Sequence, residues 1–175
     1  MKQLACVVLI LTVFVSIYAC NQDRRGRNYN NVVDAEVQNF VTKGIESGNA
    51  ELQLSQLALK ASKNKAITDF ASTMIKEHTK AGNELKKIAK EQSASIPDTL
   101  TKVHTQVISV LGKKTGAGFD KDYIQVMVQD HEANIALYKT VTGNSNKKIT
   151  DFAAKTLPKL KEHLDHANEI CAGLK

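Results

Sequence analysis

Apolar residues recur in steps of four and three along four long segments, and that period leaves this chain few folds to choose from. The first segment gives Val37, Phe40, Gly44, Ser47, Glu51, Leu54 and Ala58; the second gives Ile67, Ala71, Met74, His78, Ala81, Leu85 and Ile88. The third gives Ile124, Met127, His131, Asn134, Tyr138 and Val141, and the fourth Ile149, Ala153, Thr156, Leu160, His163, Ala167, Ile170 and Leu174. A helix with this spacing turns one stripe toward a partner helix. Val41, Ile45, Phe70, Phe152 and Leu164 widen the stripes to the breadth a globular bundle needs. No run alternates apolar and polar residues long enough for a strand.

Asn64 and Asn146 stand just before the second and fourth segments, where a short polar side chain caps free backbone N–H groups. "TGNSN" at 142–146 separates the third segment from the fourth. Between the second and third lies a longer link with Pro97, a short helix expected from about Asp98 to Leu111, and a glycine-bearing turn. A link of this length can travel the height of a bundle. The expected fold class is therefore all-α: a ferritin-like four-helix bundle with a long crossover containing a short extra helix. Pro158 falls inside the fourth segment, where it lacks an N–H and should bend or locally unbond the helix.

The chain also repeats itself. "NKAITDFA" at 64–71 returns as "NKKITDFA" at 146–153, an offset of 82, and "KEHTKAGNEL" at 76–85 returns as "KEHLDHANEI" at 161–170, an offset of 85. Three extra residues thus sit in the second copy, beside Pro158. The second and fourth helices read as copies, so the bundle should be two pseudo-symmetric hairpins.

The first nineteen residues differ from everything after them. Met1-Lys2-Gln3 is followed by a charge-free, mostly apolar run from Leu4 to Ala19. That is short for a membrane-spanning helix, which needs about 20 residues, and fits the apolar region of a secretory signal. The run ends in "IYAC", which resembles a bacterial lipobox with Cys20 as the lipidated residue, although Tyr18 is bulkier than that position usually carries. The expected organisation is a lipoprotein-type signal peptide over 1–19, a lipidated Cys20 with a polar tether over 20–31, and the helical domain over 32–175. Of the three cysteines, Cys6 would leave with the signal and Cys20 would carry lipid. Only Cys171 would then remain, too few for a disulfide within the domain, and no CxxC offers a zinc ribbon or redox pair.

Charge argues against nucleic acid. The net charge of +6 falls to +5 without residues 1–19, and the lysines are scattered rather than gathered in a stripe. The expected partners are a membrane, reached through the lipid anchor, and an unspecified protein or envelope component.

Three histidines, His78, His131 and His163, fall on the inward stripes of three different helices, and Glu51 falls on that of the fourth. At about 1.5 Å rise per residue, all four sit within about two turns of one another along the bundle. Imidazole and carboxylate groups converging inside a bundle can build a metal site. The di-iron pattern is missing, since it needs Glu-x-x-His on two helices, and Ile75, Val128 and Leu160 stand three residues before these histidines. A buried hydrogen-bond network is the expectation, with a single metal ion as the alternative. Glu77 and Glu162, next to their histidines, are expected to face water, as are His104 and His166; Cys171 is expected to be an inert buried thiol. "HEANI" at 131–135 begins like a zinc-protease motif but lacks its second histidine. No nucleophile elbow, phosphate loop or dinucleotide fingerprint is present.

At these residues the chain resembles a bacterial family known as domain of unknown function 4142, over roughly Val33 to Ile170. The resemblance rests on Phe70-Ala71, Met74 and His78; on Phe119-Asp120, Tyr123 and His131; and on Leu157-Pro158, Leu160 and His163. It implies a ferritin-like fold and an envelope location, with outer membrane the usual description of its members, and it implies no established activity. The functional expectation is a non-enzymatic envelope lipoprotein, anchored by Cys20 and most often outer-membrane, whose bundle binds a partner or supports the cell surface, with no cofactor. The alternative is a metal-binding or redox protein that uses His78, His131, His163 and Glu51.

Overall fold

The computed structural model describes residues 33–174. The expected signal peptide, Cys20 and most of the tether lie outside the described residues. Four long helices and one short one account for nearly all of the rest: α1 (Ala35–Ala61), α2 (Lys65–Glu91), α3 (Lys102–Leu111), α4 (Gly116–Thr140) and α5 (Lys147–Gly173). Among the described residues, no helix is long and apolar enough to cross a membrane.

The caps form where the sequence places them. The Asn64 side chain accepts from Ala66 N at 2.9 Å, and that of Asn146 accepts from Ile149 N at 3.4 Å. The crossover helix begins later than the expected Asp98. Thr101 caps it by accepting from His104 N at 3.2 Å, while its own N–H donates to Glu46 Oε1 at 2.8 Å. Two hydrogen bonds fix the start at that threonine, and a proline-containing stretch precedes it. Gly116, at φ +61°, supplies the left-handed turn that opens α4.

Short links make α1–α2 and α4–α5 hairpins, as the repeat implies. Asn144, in the α4–α5 link, donates to Asp34 at the start of α1 at 2.8 Å, and Asn146 donates to Gln92 at the end of α2 at 2.5 Å. The α4–α5 turn therefore sits at the end of the bundle where α1 begins and α2 finishes. The helices run up, down, down, up, and α3 lies along the crossover that this order requires. Pro158 does not interrupt α5, which is helical on both sides of it.

The core is in two parts. One apolar cluster includes Phe40, Ile45, Leu85, Tyr138, Ile149 and Phe152. The other includes Leu54, Phe70, Met74, Phe119, Tyr123 and Met127. Burial on this scale, at about 25 cal/mol per Å² of apolar surface, is what holds a disulfide-free bundle together. Between the two clusters lies a polar layer.

Candidate metal centre

Glu51, His78, His131 and His163 meet in that layer, each on a different long helix and each buried. The three imidazole rings form a triangle, with centroids 5.4 Å apart for His78–His131, 5.5 Å for His78–His163 and 5.4 Å for His131–His163. One nitrogen from each ring lies within 4.8 Å of the other two.

The hydrogen bonds around the rings decide where their protons are. His131 Nδ1 lies 2.8 Å from the Met127 carbonyl oxygen, which can only accept, so Nδ1 carries a proton and Nε2 is the nitrogen turned into the layer. His163 Nε2 lies 2.9 Å from Glu77 Oε2, which fixes the proton there and leaves Nδ1 bare. His131 Nε2 and His163 Nδ1 face each other at 3.4 Å, a long hydrogen bond when one of them carries a proton. With neither protonated there, the two lone pairs would oppose each other, so a proton or a cation belongs between them. A proton is disfavoured on His163, because burial, then the neighbouring His78 and His131, push it down to about 4.

His78 completes the set. Its Nδ1 lies 2.8 Å from Glu51 Oε2, a close charge contact. That contact engages Glu51 Oε2 with the ring. On the far side of the ring, His78 Nε2 is buried with no partner at all. An unsatisfied buried group of this kind costs about 1–3 kcal/mol.

Charge within the layer follows from burial and proximity. Burial works to raise the Glu51 carboxyl, but His78, His131 and His163 outweigh it and hold the group well below the usual carboxylate range. Burial works to lower His78, but the Glu51 carboxylate, helped by Glu77, raises it. Glu51 also accepts from Asn134 Nδ2 at 3.1 Å, and the same amide donates to Ser47 Oγ at 2.9 Å.

Three imidazole nitrogens fit a first-row transition ion. Tetrahedral zinc–nitrogen bonds of about 2.0–2.1 Å place ligand nitrogens about 3.3 Å apart, and the His131–His163 pair is already near that separation. Each ring's second nitrogen is held by another group, namely Glu51, the Met127 carbonyl or Glu77. Such outer partners orient ligating histidines and raise their basicity. In this arrangement Glu51 supports His78, and the converging donors are the three histidines.

Three sequence expectations change here. Glu77 is only partly exposed and reaches across to α5 to hold His163, a contact no spacing on α2 announces. Glu162 is exposed, as expected, and pairs with Lys159 at 2.5 Å, so the two "KEH" phrases are not equivalent. His104 is not free in solvent: its Nδ1 lies 2.7 Å from Glu46 Oε1 and its Nε2 3.7 Å from Asp130 Oδ1. Cys171 is half-buried rather than buried. His166 is exposed as expected, with its ring edge-on to Phe70 at 5.4 Å.

The family described as Domain of unknown function (DUF4142) matches residues 25–170. A solved structure with a similar fold is that of a DUF305 fragment from Deinococcus radiodurans, at a TM-score of 0.73 and 9% identity, covering 81% of this chain and 99% of that one. At that identity the likeness speaks for the helical fold alone. No curated protein matches the chain.

Proposed function

We infer that this chain, which belongs to the DUF4142 family, is a metal-binding helical module whose His78, His131 and His163 hold one divalent first-row transition ion. The observation that carries the reading is the convergence of one nitrogen from each of the three buried rings within 4.8 Å, with His78 Nε2 buried and unpartnered. When bound, the ion supplies positive charge and a coordination position that three protein donors leave open. Glu51, Glu77 and the Met127 carbonyl keep the rings turned inward, and the two apolar clusters exclude bulk water above and below.

The test is direct. The full chain, stripped of metal, is titrated with Zn²⁺ and with Co²⁺ by calorimetry, and its melting temperature is followed with and without chelator. One ion per chain is expected, with a rise of about 5–10 °C at a hundredfold excess over Kd. The variants His78→Ala, His131→Ala and His163→Ala should each lose that rise. A parent that binds neither ion and ignores chelator would leave the layer as a buried hydrogen-bond network in a non-enzymatic bundle.

Anchoring to an envelope membrane is a separate proposal, supported by the apolar run over 4–19 and its "IYAC" ending. On this reading the module is exported, is lipidated at Cys20 and sits at the outer membrane. Cys20→Ser should release it to the soluble fraction, and retention of that variant in membranes would sink the anchor.

A further inference from the structure

The polar layer is reachable from one side. A partly enclosed cavity of about 400 Å³ runs between α2 and α5 and ends on Glu51, His78 and His163. It lies there because α2 and α5 pack together less closely than the two hairpin pairs do. Its size is that of an ordinary small-molecule site.

The lining has a consistent pattern. The inner end carries His163 and His78, the latter with its unpartnered buried Nε2. The middle is apolar or small, with Gly48, Ala81, Tyr138 and Leu160. The outer part carries Lys76, Lys80, Lys155 and Lys159, all exposed. Lys155 is engaged with Glu84 at 2.7 Å and Lys159 with Glu162 at 2.5 Å. Lys76 and Lys80 make no ion pair among the described residues. Within the layer, Glu51 and Glu77 are already committed to His78 and His163. A cavity with a cationic mouth and apolar walls suits a compact molecule with an apolar body and an anionic head. Exposed lysines raise the local concentration of anions and speed their arrival.

We propose that this cavity binds a small organic monocarboxylate, which passes Lys76 and Lys80, packs its apolar body against Ala81, Tyr138 and Leu160, and sets its carboxylate at the open position of the ion held by the three histidines. The proposal rests on the metal reading above. Gly48 lies on the cavity wall, and a Cβ built there meets nothing within 4 Å, so a larger side chain can be placed at 48 without displacing a neighbour. Without the ion, the inner end presents Glu51 and Glu77 with no compensating divalent charge, so the carboxylate should bind only to the loaded protein.

Benzoate serves as the probe, titrated into the full chain loaded with Co²⁺. The visible cobalt bands report the inner end and calorimetry reports binding. One-to-one saturation with a change in the cobalt bands is expected, and at least tenfold weaker binding to the metal-free chain. Gly48→Leu should take up Co²⁺ like the parent and lose benzoate binding at least tenfold. Lys76→Glu/Lys80→Glu should weaken benzoate about threefold or more at low salt, with the difference shrinking at high salt. Failure to take up Co²⁺ would overturn the metal reading and this inference with it. Co²⁺ uptake without a benzoate response, equal binding with and without metal, or unchanged binding by both variants would overturn this inference alone.

Discussion

His104 shows how much one side chain on a connecting helix can do. It ties the crossover to the bundle by standing between Glu46 of α1 and Asp130 of α4. The nearby Asp130 carboxylate contributes most, then the hydrogen bond to Glu46, and together they raise its pKa to about 9 against the pull of burial. A raised folded value means that the stabilisation is complete below the unfolded value of about 6.5 and is lost as pH climbs through about 9. Urea unfolding of the parent and of His104→Gln should therefore differ by about 1–2 kcal/mol at pH 6, a value discounted for partial solvation. The difference should shrink by pH 10; a constant gap would show that His104 acts by packing alone. Glu77 makes a second residue-scale case: Glu77→Gln should keep one metal ion per chain but weaken its binding about 10–100-fold in a Zn²⁺ titration. The three histidines were legible from spacing, because helical period alone turns them inward. Glu77 and the partners of His104 were not, because they lie off the stripes, and what they meet depends on how a side chain reaches across a groove.

The helices keep their own record of what holds them. Asn64 caps α2 with one well-made hydrogen bond, so Asn64→Ala should cost about 1 kcal/mol in chemical denaturation. Pro158 is a different matter. It sits within a continuous, exposed stretch of α5 and deprives the Ala154 carbonyl of its usual donor. Pro158→Ala should restore that bond and stabilise by about 1–3 kcal/mol, read as a raised melting temperature; a lower one would mean that the proline sets a bend the core needs. The sequence signalled the proline and the three-residue insertion beside it, and so the helix in which the two copies diverge. It misplaced the start of α3, because that boundary depends on Glu46, which lies 55 residues away.

At the scale of the molecule, the four-helix order was legible because each stripe, each cap and the one long link agree. The division of the core into two apolar clusters was not, since periodicity shows which side of a helix is buried and not what stands level with what. The division has a consequence for alignment. Two greasy halves alone would tolerate a helix sliding by a turn, since Leu54, Met74 and Met127 can exchange neighbours at modest cost. A slide of one turn would instead carry a histidine or Glu51 in among phenylalanines and strand it there, at several kcal/mol. The layer then acts as a key that admits one vertical setting of the helices. Replacing Glu51, His78, His131 and His163 together by aliphatic residues should yield a chain that melts higher yet gives broadened or doubled amide resonances. A single sharp set would show that the ends of the bundle already fix the setting, and that the middle is free to serve its ligand.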